Sequence, residues 1–322
     1  MSALEIEKAV GALRQGRLVA FPTETVYGLG CDAANPGAIR RLYAAKGRPA
    51  DHPVIVHVAD VAQLPQWACD IPASAYTLAA KFWPGPLTLI LKKQPHVTGL
   101  VTGGQDSVGL RVPAHPVAHA LLAAFGGGIA APSANKFGRV SATRAEDVRR
   151  DFGAAVDVVL DGDVPAVGIE STIVDLTGAA PRVLRPGAIT PAMLEAVLGV
   201  PVGIGGTDVP RASGTLASHY APATPLMLME ADLLLELAAS LTRQGKKVAV
   251  LARMGAQPLD SGYVWIAAPA EPADYAHGLY ANLRTLDAAG CEVMLVEQVP
   301  NAPEWAAVRD RLTRAATSAT KG

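Results

Sequence analysis

The clearest constraint on the fold is the alternation of strand-like and helix-like segments in the last third of the chain. Strands are expected at 225–229, 247–252, 264–267 and 292–296, and helices at 231–244, 275–289 and 305–316. Such alternation is typical of a sheet with helices on both faces. This region contains neither GxGxxG nor GxxxxGK[ST]. The sequence therefore predicts a small doubly wound α/β domain that shows no chemistry of its own.

In the first two-thirds of the chain, polar and glycine-rich loops follow predicted strands. FPTETVYGLG (21–30) follows one strand, PSAN (132–135) follows another, and TGGQDSVGLRVP (102–113) places Arg111 inside an apolar strand. Loops beyond strand ends form ligand crevices in open α/β sheets. A buried arginine needs an anion beside it, which a structural salt bridge or a ligand carboxylate can supply. The neighbouring polar loops favour the ligand.

Two cations stand where a helix ends and a strand begins, in KGRPADHPVIVHV (46–58). The helix is expected to begin at Asn35-Pro36, because asparagine is a good N-cap and proline suits the first turn. Lys46 and Arg48 then lie on a short loop stiffened by prolines, which suits the binding of a phosphate. The alternative is a solvated pair that stabilises the helix C-terminus.

Composition limits the possible functions. The chain has 322 residues, a formal net charge of -1 and no basic run, which argues against a protein whose main task is to bind nucleic acid. Three widely spaced cysteines suggest neither a disulfide framework nor a zinc site. Asp161 and Asp163 could hold a metal, although a DGD sequence is more often a tight turn. Without an apolar run of membrane-spanning length or a signal peptide, we expect a soluble cytoplasmic protein.

A change of composition marks the domain boundary. Residues 199–225 are rich in glycine, proline, serine and alanine, and their one polar-aromatic cluster is His219-Tyr220. Such a segment is a linker or a long functional loop. We therefore expect a catalytic domain at 1–200, a linker or active-site lid at 201–224, and a second domain at 225–322.

A series of motifs occurs in a fixed order: FPTETVYGLG, KGRP, HPVIVHV, WPGPLTLIL, SVGLRVP, APSAN, ESTIVDL, VLRPG and SHYAP. Together they closely resemble the L-threonylcarbamoyladenylate synthases, the family with a YrdC-like catalytic domain. The tail resembles the extra C-terminal domain of the longer members. The resemblance implies a YrdC-like twisted mixed sheet with flanking helices, followed by a smaller Rossmann-like doubly wound α/β domain.

The resemblance also implies an activity. Such an enzyme, a nucleotidyltransferase, joins L-threonine, bicarbonate and ATP into threonylcarbamoyl-AMP and releases pyrophosphate, and partner proteins then transfer the threonylcarbamoyl group to an adenosine of tRNA. Mg²⁺ is expected with ATP, while no tightly bound prosthetic group, membrane association or strong direct nucleic-acid binding is expected. Two alternatives stay open: an RNA-binding or ribosome-assembly module of the YrdC-like type, and a related enzyme that handles acyl or carbamoyl phosphates.

The motifs assign site residues by position. The residues that the resemblance places around threonine are Thr25, His57, Arg111, Ser171 and the backbone of Ala131. Those that it places around ATP are Lys46, Arg48, His52, Ser107, Ser133, Asn135, Ser141, Arg185 and Tyr220. Lys46 and Arg48 are also the expected catalytic residues, and Tyr220 should reach back over the nucleotide. His52 stands where the family is expected to carry asparagine.

Overall fold

The computed structural model describes residues 2–216, 218–253 and 262–316. They form two compact units, each with its own sheet. The first contains the described residues up to Phe137 together with Ala142–Thr215, and the second contains Gly138–Ser141 and the described residues from Leu216 onward. Residues 201–215, placed in a linker by the sequence, thus belong to the first unit.

The first unit is built on a mixed sheet whose strands are β1 (Val19–Phe21), β2 (Gly28–Asp32), β3 (Ile55–His57), β4 (Leu87–Lys92), β5 (Ser107–Arg111), β6 (Ile129–Ala130), β7 (Val158–Val159), β8 (Thr172–Asp175), β9 (Arg182–Arg185) and β10 (Gly203–Ile204). Their order is β10-β9-β8-β4-β5-β3-β6-β2-β1-β7. The central pair β3 and β5 is parallel, whereas β4 runs antiparallel to β5. β10 lies inside the expected linker.

The helices of the first unit are α1 (Ala3–Arg14), α2 (Pro36–Lys46), α3 (Leu64–Trp67), α4 (Ala73–Phe82), α5 (Gly99–Thr102), α6 (Pro116–Phe125), α7 (Ala145–Phe152) and α8 (Pro191–Leu198). Asn35 caps α2 as predicted, since its Oδ1 accepts hydrogen bonds from the amides of Gly37 and Ala38. Thr143 and Glu146 have the spacing of a capping box, but that box does not form. Instead, the amide of Thr143 donates to Asp147 Oδ2 at 3.3 Å, so a residue one position later takes the role expected of Glu146.

The second unit contains a parallel sheet of β11 (Leu226–Met229), β12 (Val248–Ala252), β13 (Val264–Ala267) and β14 (Val293–Glu297), in the order β11-β14-β12-β13. Its helices are α9 (Ala231–Arg243), α10 (Pro272–Ala288) and α11 (Ala306–Ala316). The predicted alternation and the α/β fold class are confirmed. In the described part of the chain, none of the helices is both long and apolar enough to cross a membrane.

Candidate active site

Three of the predicted site residues, His57, Ser107 and Arg111, share one face of the central strands β3 and β5. His57 of β3 lies opposite Arg111 of β5, and Ile55 lies opposite Gly109. Because side chains alternate between the two faces of a strand, Ser107, Gly109 and Arg111 point to the same side. A Cβ at Gly109 would lie 3.1 Å from Cδ1 of Ile90, so the glycine keeps the middle of this face open. We call this surface the site face.

Arg111 is 4% exposed and forms an ion pair inside the protein. Its Nη2 donates to Glu24 Oε1 at 2.7 Å, and its Nε donates to the carbonyl of Gly85 at 3.2 Å. The second oxygen of Glu24 accepts the amide of Ala114 at 3.0 Å. The salt bridge that the sequence left as an alternative is therefore formed. Among the described residues, Nη1 has no hydrogen-bond acceptor, so the guanidinium retains donors for a further anion.

His57 stands beside this cation as a neutral ring. Burial and the charge of Arg111 lower the pKa of His57 to about 3. Its Nδ1 is buried and has no hydrogen-bond partner among the described residues. An unsatisfied buried nitrogen is costly, and a ligand group at this position would satisfy it.

Thr25 lies in the loop between β1 and β2 and is 1% exposed. The hydroxyl of Thr23 donates to the carbonyl of Val26 at 2.7 Å and lies 2.8 Å from the hydroxyl of Thr25. Because the single hydroxyl proton of Thr23 goes to Val26, the hydroxyl of Thr25 is the donor in this pair. The lone pairs of the Thr25 oxygen then remain to accept a hydrogen bond from a ligand. The amide of Ala131 donates to the carbonyl of Ile55 at 2.9 Å. The backbone group of Ala131 that can accept a hydrogen bond from a substrate amine is therefore its carbonyl.

Ser171 is fully buried just before β8. Its hydroxyl lies 2.8 Å from that of Thr88, the residue next to Leu89 on β4. Arg185, at the end of β9, donates through Nη2 to the hydroxyl of Ser171 at 3.1 Å and through Nε to its carbonyl at 3.0 Å. The structure thus joins a predicted threonine ligand to a predicted ATP ligand.

Residues 211–215, which we call the docked segment, connect Arg185 to Arg48. The carbonyl of Ser213 accepts from Arg185 Nη1 at 2.8 Å. Its hydroxyl donates to the carbonyl of Pro53 at 2.7 Å and lies 3.4 Å from Arg48 Nη2. The side chain of Ala212 is buried against Ile55, Ile90 and Ile173. Since Ile55 and Ile90 lie on the site face, the docked segment covers part of it.

Lys46 ends α2 and is 3% exposed. Its ammonium donates to the carbonyl of Ser133 at 2.6 Å and to that of Asn135 at 2.5 Å. The PSAN loop therefore holds the lysine through its backbone. Burial, and then the charge of Arg48, keep the pKa of Lys46 well below its ordinary value. Among the described residues these are its two hydrogen bonds, so one of the three ammonium protons is left for a ligand.

Arg48 follows the left-handed Gly47 that terminates α2. Its Nη2 donates to the carbonyl of Pro53 at 2.7 Å, and its guanidinium carbon lies 5.6 Å from the centre of the Phe137 ring. His52 lies against the same ring at 5.4 Å, and burial followed by the charge of Arg48 lowers the pKa of its imidazole. These contacts bring His52 and Arg48 together. The remaining predicted ATP ligand of the site face, Ser107, is buried at the start of β5.

Two predicted ATP residues belong to the second unit. Ser141 is fully buried and Tyr220 is 1% exposed. Tyr220 has a φ of 61°, a left-handed conformation that non-glycine residues adopt only when their surroundings hold them there.

Sequence reasoning missed three contributors: Glu24, Thr88 and Ser213. Glu24 is one polar residue among several in the loop 21–30, and nothing in its sequence surroundings marks it as the partner of Arg111. Thr88 could have been found, because it lies one position before Leu89, which pairs with Leu110, and so stands opposite Arg111 on the same face of the sheet. Ser213 carries no signal, since serine is common in linkers.

The described residues contain no group of three or more His, Cys, Asp or Glu side chains that could hold a metal ion. Asp161 pairs with Arg149, whose Nη2 lies 2.8 Å from Asp161 Oδ2. We therefore assign no protein ligand to Mg²⁺, and no step proposed below depends on one.

With this geometry, comparison with known proteins identifies the family. The model of the Sua5, YciO and YrdC proteins, described as "Telomere recombination", matches residues 11–187. A second model, described as the C-terminal domain of threonylcarbamoyl-AMP synthase, matches residues 189–317. The chain therefore belongs to the Sua5/YciO/YrdC family, in its two-domain form.

Individual relatives agree with this placement. The threonylcarbamoyl-AMP synthase of Pyrococcus abyssi is 40% identical over 322 residues, with 97% of this chain and 94% of the relative covered. That of Bacillus subtilis is 39% identical, with coverage of 97% and 93%. The crystal structure of P. abyssi Sua5 complexed with L-threonine has a TM-score of 0.91 at 38% identity and covers 99% of this chain and 96% of its own. The prediction of a threonylcarbamoyladenylate synthase is confirmed over the RNA-binding alternative.

Proposed function

We propose that the site face binds L-threonine with its carboxylate at Nη1 of Arg111. The observation that carries this proposal is the guanidinium itself: it is buried, held by Glu24 and Gly85, and keeps donors without an acceptor among the described residues. A planar guanidinium fixed in this way suits a carboxylate. The L-threonine complex of the P. abyssi relative supports the same ligand.

The other four residues of the threonine set then have distinct roles. Neutral His57 can donate to or accept from a substrate oxygen through Nδ1, whereas a second cation there would repel the amine. The hydroxyl of Thr25 and the carbonyl of Ala131 accept from the amino group. Ser171, anchored by Thr88 and Arg185, contacts the bound threonine from the β8 side.

The phosphates of ATP are proposed to lie along Lys46, Arg48 and Arg185. Lys46 has an ammonium proton to donate, and a triphosphate beside it would favour its charged form against the effect of burial. The remaining ATP contacts are assigned to His52, Ser107, Ser133, Asn135, Ser141 and Tyr220. ATP as the nucleotide agrees with the product named for the curated relatives.

The reaction then needs positioning and charge neutralisation more than an acid or a nucleophile of the protein. The threonine nitrogen, as the free amine, attacks CO2 formed from bicarbonate with loss of water, or bicarbonate itself with loss of hydroxide. The nitrogen releases a proton to solvent, and the new C–N bond gives a carbamate. A carbamate oxygen attacks the α-phosphorus, the bond to the β-phosphate breaks, and pyrophosphate leaves. Lys46 and Arg48 would stabilise the charge that develops on the leaving pyrophosphate. Cys31 is unsuited to a nucleophilic role, because burial raises the pKa of its thiol far above neutrality.

We further propose that the docked segment is part of a lid formed by residues 201–222. Its Ser213 carbonyl occupies Nη1 of Arg185 and its hydroxyl lies beside Arg48, so it contacts two groups that would bind phosphate. Admission of ATP would then require this segment to move. The product would pass to the proteins that transfer the threonylcarbamoyl group to tRNA.

The proposal is tested by pyrophosphate release from ATP with threonine and bicarbonate omitted one at a time, and by mass spectrometry of the adenylate. We expect release to need both, and the adenylate to gain the mass of a threonylcarbamoyl group. Release that is unaffected by omission of threonine would overturn the substrate assignment. Release with another amine in place of threonine would favour the related enzyme that handles acyl or carbamoyl phosphates.

A further inference from the structure

Two short segments of the second unit are paired with each other. The amide of Ala221 donates to the carbonyl of Gly138 at 2.8 Å. Arg139 pairs with Ala221 as a parallel bridge, and its Nη1 donates to the carbonyl of Pro222 at 3.2 Å. We call residues 138–141 and 219–222 the paired segments. One carries Ser141 and the other carries Tyr220.

One arginine of α10 holds the first of these segments by its backbone. Nη2 of Arg284 donates to the carbonyl of Val140 at 2.6 Å, and its Nε donates to the carbonyl of Ser141 at 3.1 Å. Nε and Nη2 of a guanidinium are fixed relative to each other, so binding two consecutive carbonyls fixes the two peptide planes that flank the Cα of Ser141. The direction of the Ser141 side chain follows from those two planes.

The same helix holds the second segment through a ring contact. The rings of Tyr220 and Tyr280 lie 5.7 Å apart at an angle of 32°. The guanidinium carbon of Arg311 also lies 5.3 Å from the centre of the Tyr220 ring. Tyr280 and Arg284 are four residues apart and therefore share one face of α10. These contacts hold the ring of Tyr220, whose backbone has a φ of 61°.

We infer that Arg284 is a positioning residue for ATP binding, which it promotes by fixing the backbone of Ser141. This inference rests on the proposed assignment of Ser141 and Tyr220 to ATP. One face of α10 then orients both residues: Arg284 orients Ser141, and Tyr280 orients Tyr220. The second unit would thus hold its own two proposed nucleotide-binding residues in place before the nucleotide arrives.

The test is the steady-state kinetics of Arg284→Met with ATP and threonine varied separately. We expect the KM for ATP to rise about tenfold, the effect of misplacing one oriented hydrogen bond. The KM for threonine should stay within about twofold, since the two carbonyls that Arg284 binds belong to Val140 and Ser141, which are not in the threonine set. Arg284→Lys should recover part of the loss, because an ammonium can reach one of the two carbonyls.

The matched control is Arg309→Met. Arg309 also donates to backbone carbonyls, through Nη1 to Pro300 at 2.8 Å and to Ala302 at 3.4 Å, and both acceptors lie outside the paired segments. We expect this variant to lose as much thermal stability as Arg284→Met while its KM for ATP stays unchanged. A similar KM rise in both variants would reduce the effect of Arg284 to general destabilisation and overturn the inference.

A double-mutant cycle tests the route through Ser141. In a Ser141→Ala background, Arg284→Met should raise the KM for ATP by less than about threefold, because the group that it positions is gone. Fully additive effects would overturn the inference. Failure of the proposed function is distinguishable, since the wild-type protein would then form no threonylcarbamoyl-AMP at all.

Discussion

Replacing Arg111 by lysine probes the site face without removing its charge. A lysine ammonium can still pair with Glu24, which forms the 2.7 Å contact in this structure, so the carboxylate is not left buried alone. The ammonium cannot bind Glu24, the Gly85 carbonyl and a substrate carboxylate in one plane. The variant thus loses the donor assigned to threonine, a charge-assisted hydrogen bond of about 1.5–3 kcal/mol.

That loss corresponds to a rise of about 10- to 150-fold in the KM for threonine. The assay is pyrophosphate release at saturating ATP and bicarbonate with threonine varied, and the KM for ATP should change by less than about threefold. Arg149→Lys is the control, because Arg149 makes a comparable 2.8 Å pair with Asp161 at the surface. A folded Arg111→Lys enzyme with the KM for threonine of the wild type would refute the assignment of the substrate carboxylate to Arg111.

Three further predictions follow from burial and packing. The pKa of His57 is about 3 in the folded protein and about 6.5 in the unfolded chain, so the unfolded chain binds the proton more readily and acid favours unfolding. Between pH 7 and pH 5, the wild type should therefore lose about 2 kcal/mol more free energy of unfolding than His57→Asn, as measured by urea titration. Equal losses in the two proteins would contradict a buried neutral His57 ring. Ser213→Ala should speed proteolytic cleavage of the docked segment about fivefold, because about 1 kcal/mol of docking is lost; an unchanged rate would mean that the hydroxyl contributes nothing. Gly128→Ala places a Cβ 2.3 Å from Cζ2 of Trp67 and should lower the free energy of unfolding by about 1–3 kcal/mol. Gly11 lies in α1 with open space around an added Cβ, so Gly11→Ala should raise it by about 0.5–1 kcal/mol. Equal effects of the two substitutions in thermal unfolding would contradict the close packing at Gly128.

The elements that the sequence predicted well are those with local signals. Asn35 and Pro36 mark the start of α2 through backbone chemistry that needs no tertiary contact. The strands and helices of the second unit alternate with clear boundaries. Local signals can also mislead: the spacing at 143–146 fits a capping box, but the amide of Thr143 reaches Asp147 instead.

Long-range contacts were beyond local reasoning. The sequence indicated that Arg111 needs an anion, but its partner Glu24 is 87 positions away. Likewise, Ser213 docks on Pro53 across 160 positions. The composition of 201–215 predicted a linker, whereas burial of Ala212 against the site face joins this stretch to the first unit.

The most direct test of the account is a crystal structure of this protein with L-threonine bound. We expect the threonine carboxylate within hydrogen-bonding distance of Arg111 Nη1, about 2.7–2.9 Å, with the amino group near Thr25 and the Ala131 carbonyl. Threonine bound elsewhere, with the Arg111 guanidinium in contact only with Glu24 and Gly85, would contradict it.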